Sequence, residues 1–249
     1  MSKAYDRVEW SFLAKMMGKL GFSKKWILMI MNCVSTVSFS FVINGNVCGS
    51  VNSSRGLRQG DPLSPYLFLL CAEGLSNVIN SAVHDSELSG FHCRRSCPNI
   101  SHLFFADDNL FFSKATDHGC ITIHQILDSY EKALGQVINY EKSAMCFSNS
   151  IQWAEGDRLV RIVGVGHVRC HERYLGLPSM NYRNKHQLFN GIKDCVWSKV
   201  KGWKGKTLSI DGKEILVKVV LQSIPTYSMG HFRLLKSLIH DLHRMCNRF

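Results

Sequence analysis

The chain has 249 residues, a net charge of +11 and 45% hydrophobic residues. This length and composition exclude a disulfide-stapled miniprotein, a collagen-like repeat and a disordered tail, and they predict one large domain or two small ones. The ten cysteines come without a secretory signal, so we expect small buried thiols in a reducing compartment. The longest unbroken apolar run, residues 66–72, is too short to span a bilayer, and we expect a soluble intracellular protein.

The charge is unevenly distributed along the chain. Residues 1–60 carry 8 basic and 2 acidic side chains, residues 61–120 carry 3 and 7, and residues 181–249 carry 13 and 4. Basic flanks suit a polyanion such as nucleic acid, and an acidic centre in that setting suits metal ions. A solvated basic surface with no such partner remains the alternative.

The first half of the chain alternates helical and strand patterns. Apolar residues at helical spacing predict a helix over residues 10–20, and a second helix begins after Ser23, a favourable N-cap. Residues 37–43 and 47–51 are β-prone on either side of Asn44-Gly45, which predicts a two-residue hairpin. A long apolar-rich segment, residues 63–83, predicts a core helix.

The acidic centre falls within a second predicted hairpin. Residues 100–105 and 110–113 are short apolar runs around a tip of residues 106–109, and a helix that Gly135 ends follows them. Beyond residue 185 the pattern is mostly helical and basic, including residues 213–221. We therefore expect a separate helical subdomain at the end of the chain.

Asp107 and Asp108 are adjacent carboxylates at this tip. Two like charges held together repel unless cations neutralise them, and carboxylates hold the two ions of metal-dependent phosphoryl transfer. The alternative is a turn that uses acidic residues for backbone reasons only.

Four segments occur in an order that resembles a known enzyme family. They are Ala-Tyr-Asp-Arg-Val at residues 4–8, Gly-Leu-Arg-Gln-Gly-Asp-Pro-Leu-Ser-Pro at 56–65, Phe-Ala-Asp-Asp at 105–108 and Tyr-Leu-Gly at 174–176. Their order, spacing and residue types resemble the motifs of reverse transcriptases, above all those of plant retrotransposons without long terminal repeats. The resemblance covers nearly the whole chain.

The resemblance implies a role for three residues at the reacting phosphates. Asp107 and Asp108 match the pair that binds Mg²⁺ or Mn²⁺ in the family. Lys142 matches a family lysine near the pyrophosphate leaving group, where a positive charge or a general acid helps. A solvated lysine is the alternative for Lys142.

The resemblance also implies a nucleotide-binding set. Gln59 and Gly60 match the loop that contacts the incoming nucleotide and the template, and Arg58 adds a phosphate contact. Tyr5 matches the aromatic gate that excludes a ribose 2′-hydroxyl, with a packing role at a helix start as the alternative.

The basic tail resembles the thumb region of the same elements. Four lysines could follow a duplex backbone, although a solvated face is the alternative: Lys199, Lys201, Lys204 and Lys206. Trp203 lies among them, and packing between helices is a simpler role for it than base stacking.

The family pattern places its first catalytic aspartate directly before the residue that matches Met1, and the fingers region lies further upstream. Asp6 and Glu9 are displaced from that position, so we assign them structural roles. We therefore expect impaired polymerisation by this chain alone. The alternative is a catalytically inactive nucleic-acid-binding remnant of a retroelement.

These observations predict an α+β fold: a polymerase palm with an antiparallel sheet and helices on one face over residues 1–178, then a basic helical thumb-like region over residues 179–249. The expected partners are an RNA template, a DNA primer and deoxynucleoside triphosphates, with no membrane. The resemblance alone implies a nuclear location, and the oligomeric state is left open.

Overall fold

The structure is a computed structural model that describes residues 4–94, 96–169, 173–178, 189–203 and 208–249. It is an α+β structure, as the sequence predicts. The chain divides into two compact units, Met1–Arg169 and Cys170–Phe249. The assignment of these parts to a palm and a thumb stays a prediction.

The first unit opens with two helices, a hairpin and a long helix, all of which the sequence predicts. The Ser23 side chain accepts a hydrogen bond from the Trp26 amide and caps the second helix. Asn44 and Gly45 have φ of 50° and 83°, the positive values that a tight hairpin turn needs. The elements are α1 Trp10–Lys19, α2 Lys24–Ser35, β1 Ser38–Ile43, β2 Asn46–Asn52 and α3 Ser64–His84.

The acidic hairpin and the helix after it follow. The hairpin consists of β3 His102–Phe105 and β4 Asp108–Phe111, so Asp108 begins a strand and pairs with Phe105. The predicted four-residue tip was therefore too wide, because Ala106 with φ of 50° completes the turn with Asp107. Helix α4, Asp117–Leu134, ends at Gly135 with φ of 74°, as predicted.

A small β–α–β arrangement completes the first unit. Strand β5, Ala144–Met145, pairs in parallel with β6, Gly166–His167, and α5, Trp153–Val163, connects them. The sequence analysis predicts none of these three elements. The described strands form four separate two-stranded sheets, whereas a palm is expected to have a single antiparallel sheet. Three of these pairs are antiparallel, and the β5–β6 pair is parallel.

Helix α3 is the centre of the main core of this unit. It packs against α1, α4 and β3 and buries the side chains of Leu67, Cys71, Leu75 and Ile79. Its 21 residues and mean hydropathy of 1.3 would also suit a membrane span by length and composition alone. One face of α3 is packed on the core. An apolar helix in a protein core can have the same length and hydropathy as a membrane span.

The second unit is mostly helical, in agreement with the predicted helical tail. A cluster around Val196, Val200, Leu221, Leu238 and Leu242 forms its core. Its elements are β7 Arg173–Tyr174, β8 Leu177–Pro178, α6 Asn190–Trp203, α7 Ile210–Leu216, a π-helical turn Val217–Leu221, α8 Ser223–Met229 and α9 Lys236–Asn247.

Candidate active site

The segment after Ala4 is joined by backbone hydrogen bonds to the loop that precedes α3. The Leu57 amide donates to the Tyr5 carbonyl at 2.8 Å, and the Gly56 amide donates to the Val8 carbonyl at 2.8 Å. The indole Nε1 of Trp10 donates to the Gly56 carbonyl at 2.7 Å. Two of the segments that carry the family resemblance are thereby brought into direct contact.

Gly56 makes this close approach possible. Its φ is +91°, and a Cβ atom at this position would lie 2.7 Å from the carbonyl oxygen of Asp6. A side chain would therefore suffer both backbone strain and a collision with main-chain atoms that cannot move independently. The glycine is required by the contact between the two segments.

Tyr5 is half-buried, and its ring packs against a phenylalanine of helix α3. The rings of Tyr5 and Phe68 stack with centroids 4.9 Å apart and planes 16° apart. Phe68 is buried in the core, so the Tyr5 ring rests on a fixed surface. This stacking contact agrees with the packing role, and the half-buried side chain keeps part of its surface exposed.

The loop residues Arg58, Gln59 and Gly60 are exposed directly beside this contact. The Arg58 guanidinium carbon lies 5.9 Å from the centre of the Phe39 ring on β1. Gly60 has φ of +86° with open space where a side chain would be, so its backbone is accessible to a ligand. The Asp61 carboxylate accepts a hydrogen bond from the Leu63 amide at 2.8 Å, and α3 begins at the next residue, Ser64.

Asp6 and Glu9 have the structural surroundings expected of them. Asp6 is exposed, and its carbonyl oxygen lies at the Gly56 contact. Glu9 is the N-cap residue of α1, and its carboxylate lies 3.5 Å from Arg55. Its amide donates to the Leu134 carbonyl at 3.1 Å. Their structural role nevertheless stays a prediction.

Asp107 and Asp108 are both exposed at the turn between β3 and β4. Their carboxylate oxygens are the donors that Mg²⁺ and Mn²⁺ prefer, so this part of the site fits a divalent ion. Within the described ranges, however, no group of three or more His, Cys, Asp or Glu side chains could hold a metal ion. The fit rests on two carboxylates.

The base of the acidic hairpin is anchored by a histidine that the sequence analysis did not single out. His102 lies between two hydroxyls: Nε2 is 2.9 Å from Ser76 Oγ on α3, and Nδ1 is 2.9 Å from Ser101 Oγ. Burial lowers the pKa of His102, and the charge of Glu73 opposes that shift. Phe104 and Phe111 add an apolar contact with the core. No local pattern signals this anchor, because Ser76 and His102 are 26 residues apart.

Lys142 lies on an exposed turn after α4. Its amide donates to the side-chain oxygen of Asn139 at 3.0 Å, and Ser143 Oγ donates to the Asn139 carbonyl at 2.8 Å. The turn fixes the backbone and leaves the lysine side chain in solvent.

The lysines of the basic tail are only partly described. Lys199 and Lys201 are exposed on α6, whereas Lys204 and Lys206 lie outside the described residues. Trp203 packs against Phe249, with ring centroids 5.5 Å apart, in agreement with the packing role. Lys193 forms an ion pair with Asp241 at 2.7 Å.

Comparison with known families identifies the class of protein. The family described as "Reverse transcriptase (RNA-dependent DNA polymerase)" matches residues 1–195, which is most of the chain. The chain belongs to the reverse transcriptase family. Enzymes of this family use divalent metal ions and act on a nucleic-acid template with nucleotide substrates.

The relatives agree with a retrotransposon origin. An uncharacterized mitochondrial protein of Arabidopsis thaliana is 54% identical over 68 residues, 27% of this chain and 56% of that protein. The retrovirus-related Pol polyprotein from type-1 retrotransposable element R2 of Popillia japonica is 28% identical over 142 residues, 57% of this chain and 22% of the polyprotein. An uncharacterized 149 kDa protein of transposon TX1 from Xenopus laevis is 22% identical over 235 residues, 89% of this chain and 16% of that protein.

The chain thus spans little more than half of the mitochondrial protein and a small part of the other two. The match to the family and the similarity to two retrotransposon proteins confirm the retrotransposon reverse transcriptase that the motifs predict.

Proposed function

We propose that this reverse transcriptase domain performs RNA-directed DNA polymerisation, with an RNA template, a DNA primer and deoxynucleoside triphosphates as substrates. The observation that supports the proposal is the direct contact between the Tyr5 segment and the Gly56–Gly60 loop, within a chain that matches the family. A nuclear location is part of the proposal and rests only on the resemblance to retrotransposon reverse transcriptases.

Asp107 and Asp108 are the residues that would hold the metal ions. Bound divalent ions would activate the primer 3′-hydroxyl and stabilise charge on the phosphates. The two carboxylates are exposed at the hairpin turn and are held in place by the anchored strands β3 and β4. The family pattern places a further carboxylate directly before the residue that matches Met1, a position outside this sequence.

The residues around Tyr5 would bind and select the nucleotide. Gly60 would let the backbone approach the nucleotide closely. Its exposed neighbours Gln59 and Arg58 would contact the nucleotide, Arg58 through a phosphate group. The Tyr5 ring, supported by Phe68, would exclude a 2′-hydroxyl by its bulk. Lys142 would place a positive charge near the leaving pyrophosphate.

Primer extension on a polyribonucleotide template tests the catalytic part of the proposal. The chain is compared with a form that carries an added aspartate before Met1, in Mg²⁺ and in Mn²⁺. We expect the added carboxylate to raise extension, and Asp107→Asn to reduce the extension of either form by at least about a hundredfold.

Glu87→Gln is the matched control, because Glu87 is an exposed carboxylate in the loop after α3. Extension that survives Asp107→Asn would contradict the metal assignment. If neither form extends a primer while the folded chain still binds duplex, the chain acts instead as a non-catalytic nucleic-acid binder.

The lysines of α6 are the proposed contacts with the duplex backbone. We expect Lys199→Gln with Lys201→Gln to weaken duplex binding and to reduce the slope of affinity against salt concentration by about two. Lys218→Gln is the control, since Lys218 is an exposed lysine that forms an ion pair with Glu214 at 2.5 Å. An unchanged slope would assign the two lysines to a solvated face.

A further inference from the structure

Gln136 makes a buried contact with the first described residue of the chain. Its side chain is 1% exposed, and Nε2 donates to the Ala4 carbonyl at 2.8 Å. The two residues are 132 positions apart. Neither the motifs nor the proposed function gives Gln136 a role.

The other half of the same side chain is a cost to the fold. Oε1 of Gln136 is buried and makes no hydrogen bond in the part of the chain that the structure describes. A buried acceptor without a partner loses its hydration and gains nothing in return, so Oε1 offsets part of the stability that the bond from Nε2 to the Ala4 carbonyl contributes. A polar group kept at such a site needs an explanation beyond stability.

The contact belongs to a set that joins the Tyr5 segment to two other parts of the chain, the end of α4 with the turn after it and the loop before α3. On one side, Gln136 binds the carbonyl of Ala4, and the Glu9 amide donates to the Leu134 carbonyl at 3.1 Å. On the other side, the Leu57 amide donates to the Tyr5 carbonyl. The carbonyl groups of both Ala4 and Tyr5, one on each side of the Tyr5 side chain, are therefore held by hydrogen bonds.

The end of α4 is shaped to allow this. Gly135 has φ of +74°, and a Cβ atom there would lie 2.9 Å from Glu9 Cγ and 3.2 Å from the Arg7 carbonyl oxygen. The turn after α4 can therefore lie against the Ala4–Glu9 segment, and Gln136 follows directly. Six residues later the same connection reaches Lys142.

We propose that Gln136 is a positioning residue for nucleotide selection: by holding the Ala4 carbonyl it sets the place of the Tyr5 ring, and with it the discrimination between deoxyribonucleotides and ribonucleotides. The inference rests on the proposed role of Tyr5. A displacement of about 1 Å is enough to change such discrimination strongly, because the gate acts through steric contact.

The test measures binding of dATP and ATP, which differ at the 2′ position. The chain is bound to a primer–template duplex that ends in a dideoxynucleotide, so that no bond can form, and the two dissociation constants are compared. The variants are Gln136→Met, which keeps size but removes the donor, Tyr5→Ala, and Gln152→Met as an exposed glutamine control. We expect Gln136→Met to reduce the preference for dATP by about tenfold. The melting temperature should fall as well, because the substitution leaves the buried Ala4 carbonyl without its donor, so the change in preference at a temperature where the variant is folded is the readout for positioning.

The outcomes separate this inference from the proposed function. If Tyr5→Ala removes the preference and Gln136→Met leaves it intact, the positioning role is wrong and the gate stands. If Tyr5→Ala has no effect, or the unchanged chain binds neither nucleotide, the proposed nucleotide site is wrong and the inference falls with it.

Gln136→Glu supplies a second variant in case Gln136→Met unfolds the chain. A buried carboxyl group stays protonated to higher pH and in that form can still donate to the Ala4 carbonyl. We expect this variant to keep the preference for dATP in acid and to lose it as the carboxyl ionises. A preference that still follows the unchanged chain at a pH where the introduced carboxyl group has ionised would overturn the proposal.

Discussion

The first unit contains two antiparallel hairpins that are alike locally and different in their surroundings. Each has a non-glycine residue with positive φ in its turn, Asn44 in one and Ala106 in the other. Every residue of β1 and β2 is exposed, and their pairing is irregular between Phe39 and Phe41. Strands β3 and β4 instead bury part of their side chains against the core.

The difference shows what turns a hairpin into a support for a site. A two-stranded hairpin alone is marginally stable in water, so one without packing partners cannot hold a side chain to a fraction of an ångström. The β3–β4 hairpin gains its partners through Phe104, Phe111 and the His102 contact with Ser76. It is also the hairpin that carries the two carboxylates.

The largest expected effect comes from removing the apolar anchor of the second hairpin. Phe104 contacts the Phe111 ring at 5.8 Å and the His102 ring at 4.6 Å between centroids. We expect Phe104→Ala to lower the free energy of unfolding by about 2 kcal/mol in urea denaturation, since a half-buried phenylalanine loses part of its packing.

Phe41→Ala is the matched substitution in the first hairpin, where the side chain is 58% exposed. It should change the free energy of unfolding by less than about 0.5 kcal/mol. Equal losses from the two substitutions would contradict the contrast between the hairpins.

A smaller effect should follow from the titration of His102. Burial lowers its pKa, so the unfolded chain binds a proton first as the pH falls through about 6.5. The contribution of neutral His102 to stability is therefore present above that pH and is lost progressively below it. We expect the melting temperature to fall in acid, and His102→Gln to reduce that dependence.

His84→Gln serves as the comparison, because His84 is exposed at the end of α3. The melting temperature of both variants is measured at pH 7.5 and at pH 5.5, and the fall between the two pH values is compared. An acid dependence that is identical in the two variants would show that the His102 anchor has no part in it.

The smallest expected effect is at the turn of the first hairpin. Gly45 has φ of +83° with open space around it, so Gly45→Ala adds backbone strain without a collision. We expect faster amide exchange within β1 and β2 but a change in the free energy of global unfolding below about 0.5 kcal/mol. A large global loss would mean that the first hairpin is coupled to the core.

Much of the local structure could be predicted because its causes are local. Ser23 caps α2, Asn44-Gly45 turns the first hairpin, and Gly135 ends α4, each within a few residues of the element that it defines. The very short strands β5 and β6 were missed, since two residues carry no periodicity and their parallel partners lie 22 positions apart. Asp108 was assigned to the turn for a similar reason: alternation cannot locate a strand boundary to one residue.

The sequence by itself determined the family, the candidate carboxylates and the order of the helices, because motif order and apolar spacing are written along the chain. Only the tertiary structure decided what supports those residues. The Ser76–His102 contact, the stacking of Phe68 on Tyr5 and the bond from Gln136 to Ala4 join positions that are distant in sequence. Such partners meet only when the core packs, and it is the packed core that makes their geometry definite.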